Sequence, residues 1–182
     1  LTPLLLLAAC GQTAETKIRF AGAAASAPIA PASGPPRFTA DEFIAADGAR
    51  LPLRKWVPAG PAKAVILALH GFNDYSNAFT EPAKTWAANG IATYAFDQRG
   101  FGGAPLRGSW AGEAWLAADA VTASGILRAA YPGRPLYLLG ESMGGAVAIL
   151  AATGAVSPAI AGPSGMPLAP VDGVILSAPA VW

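Results

Sequence analysis

Four apolar runs punctuate this chain: Ala64–Leu69, Ile91–Phe96, Leu136–Leu139 and Val171–Leu176. None alternates apolar with polar residues, as a strand with one wet face would. Such runs predict strands buried on both faces. Between them lie stretches with helical spacing. Ser76–Asn89 carries Phe79, Ala83, Trp86 and Ala87 on one stripe and ends at Gly90. Glu113–Tyr131 is closed by Pro132-Gly133, and Met143–Thr153 is a helix rich in small residues. Buried strands alternating with helices predict a mostly parallel sheet with helices on both faces. Ahead of them, Phe38–Ile44 and Leu51–Val57 flank Asp47-Gly48, a hairpin signal that adds an antiparallel edge.

Composition narrows the function. With 53% hydrophobic and 13% charged residues, the chain can build a sizeable core. Twelve basic and eleven acidic residues leave a net charge of +1, with no basic block, so no nucleic-acid partner is expected. One cysteine excludes an internal disulfide, and one histidine, His70, leaves little for a metal site. No metal and no cofactor are expected.

The first residues read as something other than fold. Leu1–Cys10 is apolar and too short to span a bilayer. It looks like the end of a secretory signal peptide. Leu7-Ala8-Ala9-Cys10 resembles the lipobox of bacterial lipoproteins, which implies lipidation at Cys10 and a membrane anchor facing outside the cytoplasm. Residues 11–36 are rich in Ala, Pro and Gly and lack periodicity, as a tether does. Residues 37–182 are then the folded part.

In open parallel sheets, ligands sit outside the carboxyl ends of the strands. Three of these ends carry suggestive loops. Gly140-Glu141-Ser142-Met143-Gly144 follows a strand and opens a helix. That is the strand–turn–helix setting of a nucleophilic serine, with glycines where side chains would collide. The plainer alternative is a serine capping a glycine-rich helix start. His70-Gly71-Phe72-Asn73 follows the first buried strand. An acyl-transfer site needs two backbone N–H groups aimed at the oxyanion, and Phe72 and Met143 are placed to supply them. His70 is expected to pack and shape this loop and not to act as a base. Asp97-Gln98-Arg99-Gly100-Phe101-Gly102 fails the dinucleotide pattern because Pro105 replaces its third glycine. Asp97 and Arg99 are expected to pair with each other and hold the loop.

In this order, H-G-F, D-Q-R-G-F-G and G-E-S-M-G-G resemble the α/β-hydrolase superfamily. The nearest branch is that of monoacylglycerol lipases and lysophospholipases, the serine aminopeptidase S33-like group. The resemblance covers about Phe38–Trp182. It implies a Ser-His-Asp triad without metal and hydrolysis of a small ester through an acyl-enzyme. Ser142 takes the nucleophile position, and Phe72 and Met143 take the oxyanion-hole positions. The triad acid and histidine are not in this chain. After Ser142 come only Asp172, at the wrong end of its strand, and no histidine. The chain therefore reads as an N-terminal portion of a longer protein. A serine peptidase, a thioesterase, or a lipid-anchored binding protein on a decayed hydrolase fold are the alternatives.

Overall fold

The computed structural model describes residues 34–155 and 168–181. The signal-like segment, Cys10 and most of the expected tether lie outside the described residues. The chain forms β1 (Arg37–Phe38), β2 (Glu42–Ile44), β3 (Arg50–Trp56) and β4 (Ala64–Leu69). A 3-10 turn (Ser76–Phe79) then leads into α1 (Thr80–Ala88). After it come β5 (Ile91–Phe96), α2 (Glu113–Ala130), β6 (Leu136–Glu141), α3 (Met143–Thr153) and β7 (Gly173–Ser177). One seven-stranded sheet runs β1-β2-β3-β5-β4-β6-β7. The first four strands in that order are joined antiparallel, and the β5-β4-β6-β7 pairs are parallel.

Side chains alternate across a strand, and β4 divides accordingly. Val65, Leu67 and Leu69 face the larger core, with Phe43, Leu51 and Phe96 from the sheet, Leu116 and Leu127 of α2, and Val147 of α3. Ile66 and Ala68 face a smaller core with Phe79, Ala95 and Leu139, backed by Trp86 of α1. Burial of each large aliphatic side chain stabilises by about 1.5–3 kcal/mol. Helices on both faces explain why β4 and β5 carry no polar alternation.

Three local expectations change. The run Phe38–Ile44 breaks in two. The Glu42 N–H donates to Thr39 Oγ1 at 3.0 Å, and the Thr39 N–H to the Glu42 carbonyl at 2.8 Å, folding β1 back on β2. A threonine side chain makes that turn, so no glycine or proline marks it. The helix expected from Ser76 begins at Thr80, because Asp97 holds Ser76 in the preceding 3-10 turn. Pro82 fits in the first turn of α1, where its missing N–H has no intrahelical partner to lose. The fourth apolar run is a strand but not a buried one: Val174, Ile175 and Leu176 are 36–43% exposed. β7 pairs only with β6 among the described residues.

The strand order reverses at β4. Its successor β5 lies on one side and β6 on the other, and the carboxyl ends of β4 and β6 meet at this switch point. The loop after β4 begins at His70, and the turn after β6 is Ser142.

Candidate active site

A single residue turns the chain from β6 into α3. Ser142 does so at φ 50° and ψ −116°, outside the regions a side chain favours. The glycines around it are there for space. A Cβ on Gly140 would lie 2.3 Å from the Gly144 carbonyl oxygen, and one on Gly144 would lie 2.0 Å from that of Leu69. With those side chains absent, α3 packs directly on the ends of β4 and β6. The Ser142 N–H donates to the Ser177 carbonyl at 2.9 Å. The Ser142 carbonyl accepts from the N–H groups of Gly145 and Ala180, each at 2.9 Å. Ser142 Oγ has no hydrogen-bond partner among the described residues. It sits at the amino end of α3, whose dipole favours negative charge. The serine-cap alternative loses ground, since its side chain makes no capping hydrogen bond.

The loop after β4 lies against this turn. A Cβ on Gly71 would come 3.3 Å from Ser142 Cβ. Phe72 follows, with its side chain 61% exposed and its ring edge-on to Phe101 at 5.3 Å. No acceptor pairs with the Phe72 N–H among the described residues. The Met143 N–H is the first of α3, a position without an intrahelical acceptor. Both N–H groups therefore flank Ser142 uncommitted.

His70 is fully buried. Its Nδ1 lies 2.8 Å from the Gly71 carbonyl oxygen, and its Nε2 accepts the Gln98 N–H at 2.9 Å. A nitrogen that accepts has no proton, so Nδ1 is the protonated one. Burial pushes its pKa below the usual histidine range, against the Gly71 hydrogen bond and the nearby carboxylates. With both nitrogens engaged, the ring has none to offer Ser142.

Asp97 and Arg99 hold their loop, but they do not pair with each other. Asp97 Oδ1 accepts from the Ser76 N–H at 2.9 Å and the Ser76 hydroxyl at 2.6 Å, and Oδ2 accepts from the Gly103 N–H at 2.8 Å. Arg99 instead forms a fork with Asp119 of α2 at 2.6 and 2.9 Å, and with Asp47 of the hairpin turn at 2.7 and 2.8 Å. Asp97 is taken up by Ser76 and Gly103, and the fold brings Asp47 and Asp119 to Arg99 from distant parts of the chain. Asp172 sits just before β7, where it accepts from Arg128 at 2.7 Å and from the Leu136 N–H at 2.8 Å. That is the end of the sheet away from Ser142.

Beyond Phe72 opens a cavity of about 370 Å³, walled by Phe72, Tyr75, Phe101, Arg107 and Trp110. A second, of about 630 Å³, adjoins it through Tyr75, Gly102 and Arg107. Sequence reasoning did not single out Arg107 or Trp110, nor the Ser177–Ala180 segment that braces Ser142. The signal that could have found that segment is Ser177-Ala178-Pro179, directly after the last apolar run. Among the described residues, no group of His, Cys, Asp and Glu is placed to hold a metal.

The sheet order, the antiparallel entry strands and the serine at the strand–helix turn define the α/β-hydrolase class. Residues 60–182 match the family described as serine aminopeptidase, S33, and the chain belongs to that family. It is 35% identical to human monoglyceride lipase over 117 residues, which is 60% of this chain and 37% of the human protein. It is 28% identical to the monoacylglycerol lipase of Mycolicibacterium smegmatis over 58% of this chain and 38% of that protein. Among solved structures, a thermostable carboxyl esterase from Bacillus coagulans in complex with glycerol superposes with a TM-score of 0.58 at 22% identity. That match covers 74% of this chain and 42% of the esterase. A soluble variant of the Saccharomyces cerevisiae monoglyceride lipase gives 0.52 at 22% identity, over 82% of this chain and 48% of the lipase. The chain thus spans less than half the length of each of these relatives, 37–48%.

Proposed function

We propose that the whole protein is a serine hydrolase of carboxylic esters, with monoacylglycerols and similar lipid-like esters as substrates. The observation that carries this is the Ser142 turn, held at a positive φ with its hydroxyl free and the Gly71-Phe72 loop against it. In this reading, Ser142 Oγ attacks the ester carbonyl carbon. The carbonyl oxygen gains negative charge and accepts from the Phe72 and Met143 N–H groups, each worth about 10²–10³ in rate. The alcohol leaves, an acyl-enzyme forms, and water cleaves it. Ser142 must lose its proton to a base. His70 is not that base, so it is assigned, with its carboxylate partner, to the part of the protein that the longer relatives have and these 182 residues lack. The monoglyceride lipases among the relatives support the choice of substrate.

The test is covalent. Intact protein should react with a fluorophosphonate at Ser142 and hydrolyse a monoacylglycerol. The Ser142→Ala variant should lose both while keeping the wild-type circular dichroism spectrum. Ester turnover by that variant within a few-fold of wild type would remove Ser142 from the chemistry.

A further inference from the structure

We propose that His70 is a positioning residue: its Nδ1–H aims the Phe72 N–H at the substrate oxygen by holding the Gly71–Phe72 peptide in one orientation. This rests on the oxyanion role given to Phe72 above. The argument starts from the peptide unit. In a trans peptide, the C=O of one residue and the N–H of the next point in opposite directions, and no cis peptide occurs among the described residues. Whatever fixes the Gly71 carbonyl therefore fixes the Phe72 N–H, pointing the other way. Two donors hold that carbonyl: His70 Nδ1–H at 2.8 Å and the Asp74 N–H at a longer 3.3 Å. Glycine at position 71 has no side chain to limit its rotation. Without the imidazole, only the weaker bond opposes a turn of this peptide.

The imidazole is held in turn. Gln98, fully buried at the end of β5, grips it from two sides. Its backbone N–H donates to His70 Nε2 at 2.9 Å, and its side-chain amide donates to the His70 carbonyl at 2.8 Å. The first bond selects the tautomer, because an Nε2 that accepts leaves the proton on Nδ1. The edge of Phe101 packs on the ring at 5.7 Å and on Phe72 at 5.3 Å. The end of β5 thus sets the proton position on a histidine after β4, and that histidine sets the direction of an N–H beside Ser142.

Two substitutions in the intact protein separate the ring's two nitrogens. In His70→Asn, the side-chain amide can reach the Nδ1 position and donate to the Gly71 carbonyl. In His70→Gln, the amide reaches toward the Nε2 position and leaves that carbonyl to Asp74. His70→Gln should lower kcat about 10²-fold, the scale of one oxyanion donor, with KM changed little. It should also weaken binding of a trifluoromethyl ketone, which forms an oxyanion on the serine, by a similar factor. His70→Asn should recover most of both losses. Equal activity of the two variants, or a fall in kcat/KM carried by KM, would overturn the proposal. If neither variant folds, ¹⁵N-histidine NMR of wild-type protein decides it. The His70 ring, identified by sequential backbone-to-side-chain assignment, should be protonated at Nδ1 and bare at Nε2 at neutral pH. An Nε2–H tautomer or an imidazolium there refutes it. Should Ser142→Ala retain turnover, the serine reading itself falls. Should Ser142→Ala be dead while His70→Gln keeps wild-type kcat, only the role of His70 falls.

Discussion

Ser142 occupies a backbone conformation that costs a residue with a side chain on the order of 1–3 kcal/mol. The hydrogen bonds to Ser177, Ala180 and Gly145 hold it there. A glycine in its place has no Cβ to strain, though it loses more chain entropy on folding. Ser142→Gly should therefore be more stable than Ser142→Ala by roughly 1–2 kcal/mol, the opposite of the ranking inside a helix. Urea denaturation of the two intact variants measures this directly. Equal midpoints would mean that the turn stores no strain. The same logic explains Gly140 and Gly144, where any Cβ would overlap backbone atoms.

At the scale of elements, one buried arginine ties three of them together. Arg99, after β5, reaches Asp47 in the β2–β3 turn and Asp119 on α2, and its guanidinium lies 4.7 Å from the Trp115 ring. The two carboxylates differ. Burial pushes Asp119 up to about 6, even against the pull of Arg99. For Asp47, burial works in the same direction, but the Arg99 and Ala49 hydrogen bonds outweigh it and lower the pKa below the ordinary value. The signs follow. Between about pH 4 and 6 the folded state keeps a proton on Asp119 that the unfolded chain has released. Stability contributed by Asp119 therefore falls as pH rises through that window. Asp47 acts in the opposite sense and only at lower pH, where its stabilisation is lost on acidification. In Asp119→Asn the first effect vanishes. The stability of wild type relative to that variant should decline from pH 4 to 7 by on the order of 3 kcal/mol. A flat or rising difference in denaturant midpoints would show that burial does not raise the Asp119 pKa.

For the molecule as a whole, the one imidazole decides what these 182 residues can do. A serine hydroxyl is a poor nucleophile until a base takes its proton, and His70 has both nitrogens engaged. The 182-residue chain expressed alone should show no ester turnover that depends on Ser142. Hydrolysis by this chain and by its Ser142→Ala form should be indistinguishable. A clear difference between them would mean that another group in these residues serves as base.

What the sequence determined by itself was periodicity and spacing. Apolar runs without alternation meant strands covered on both faces, and β4, β5 and β6 are such strands because helices lie on either side. Glycines at 140 and 144 around Ser142 meant a turn too tight for side chains, a constraint set by atoms within a few residues. These are local matters of sterics and pattern. Tertiary structure alone decided partnership. Arg99 and Asp97 are two residues apart, yet Arg99 pairs 52 positions back and 20 ahead, while Asp97 holds Ser76. Their spacing predicted a pair because it could not show which side of the loop each faces. The exposure of β7 was hidden for the same reason. Its apolar composition is that of a buried strand, but burial depends on what packs against a face. The tautomer of His70 is the clearest case: Gln98, 28 positions away, fixes it, and only the sheet order that sets β5 beside β4 brings the two together.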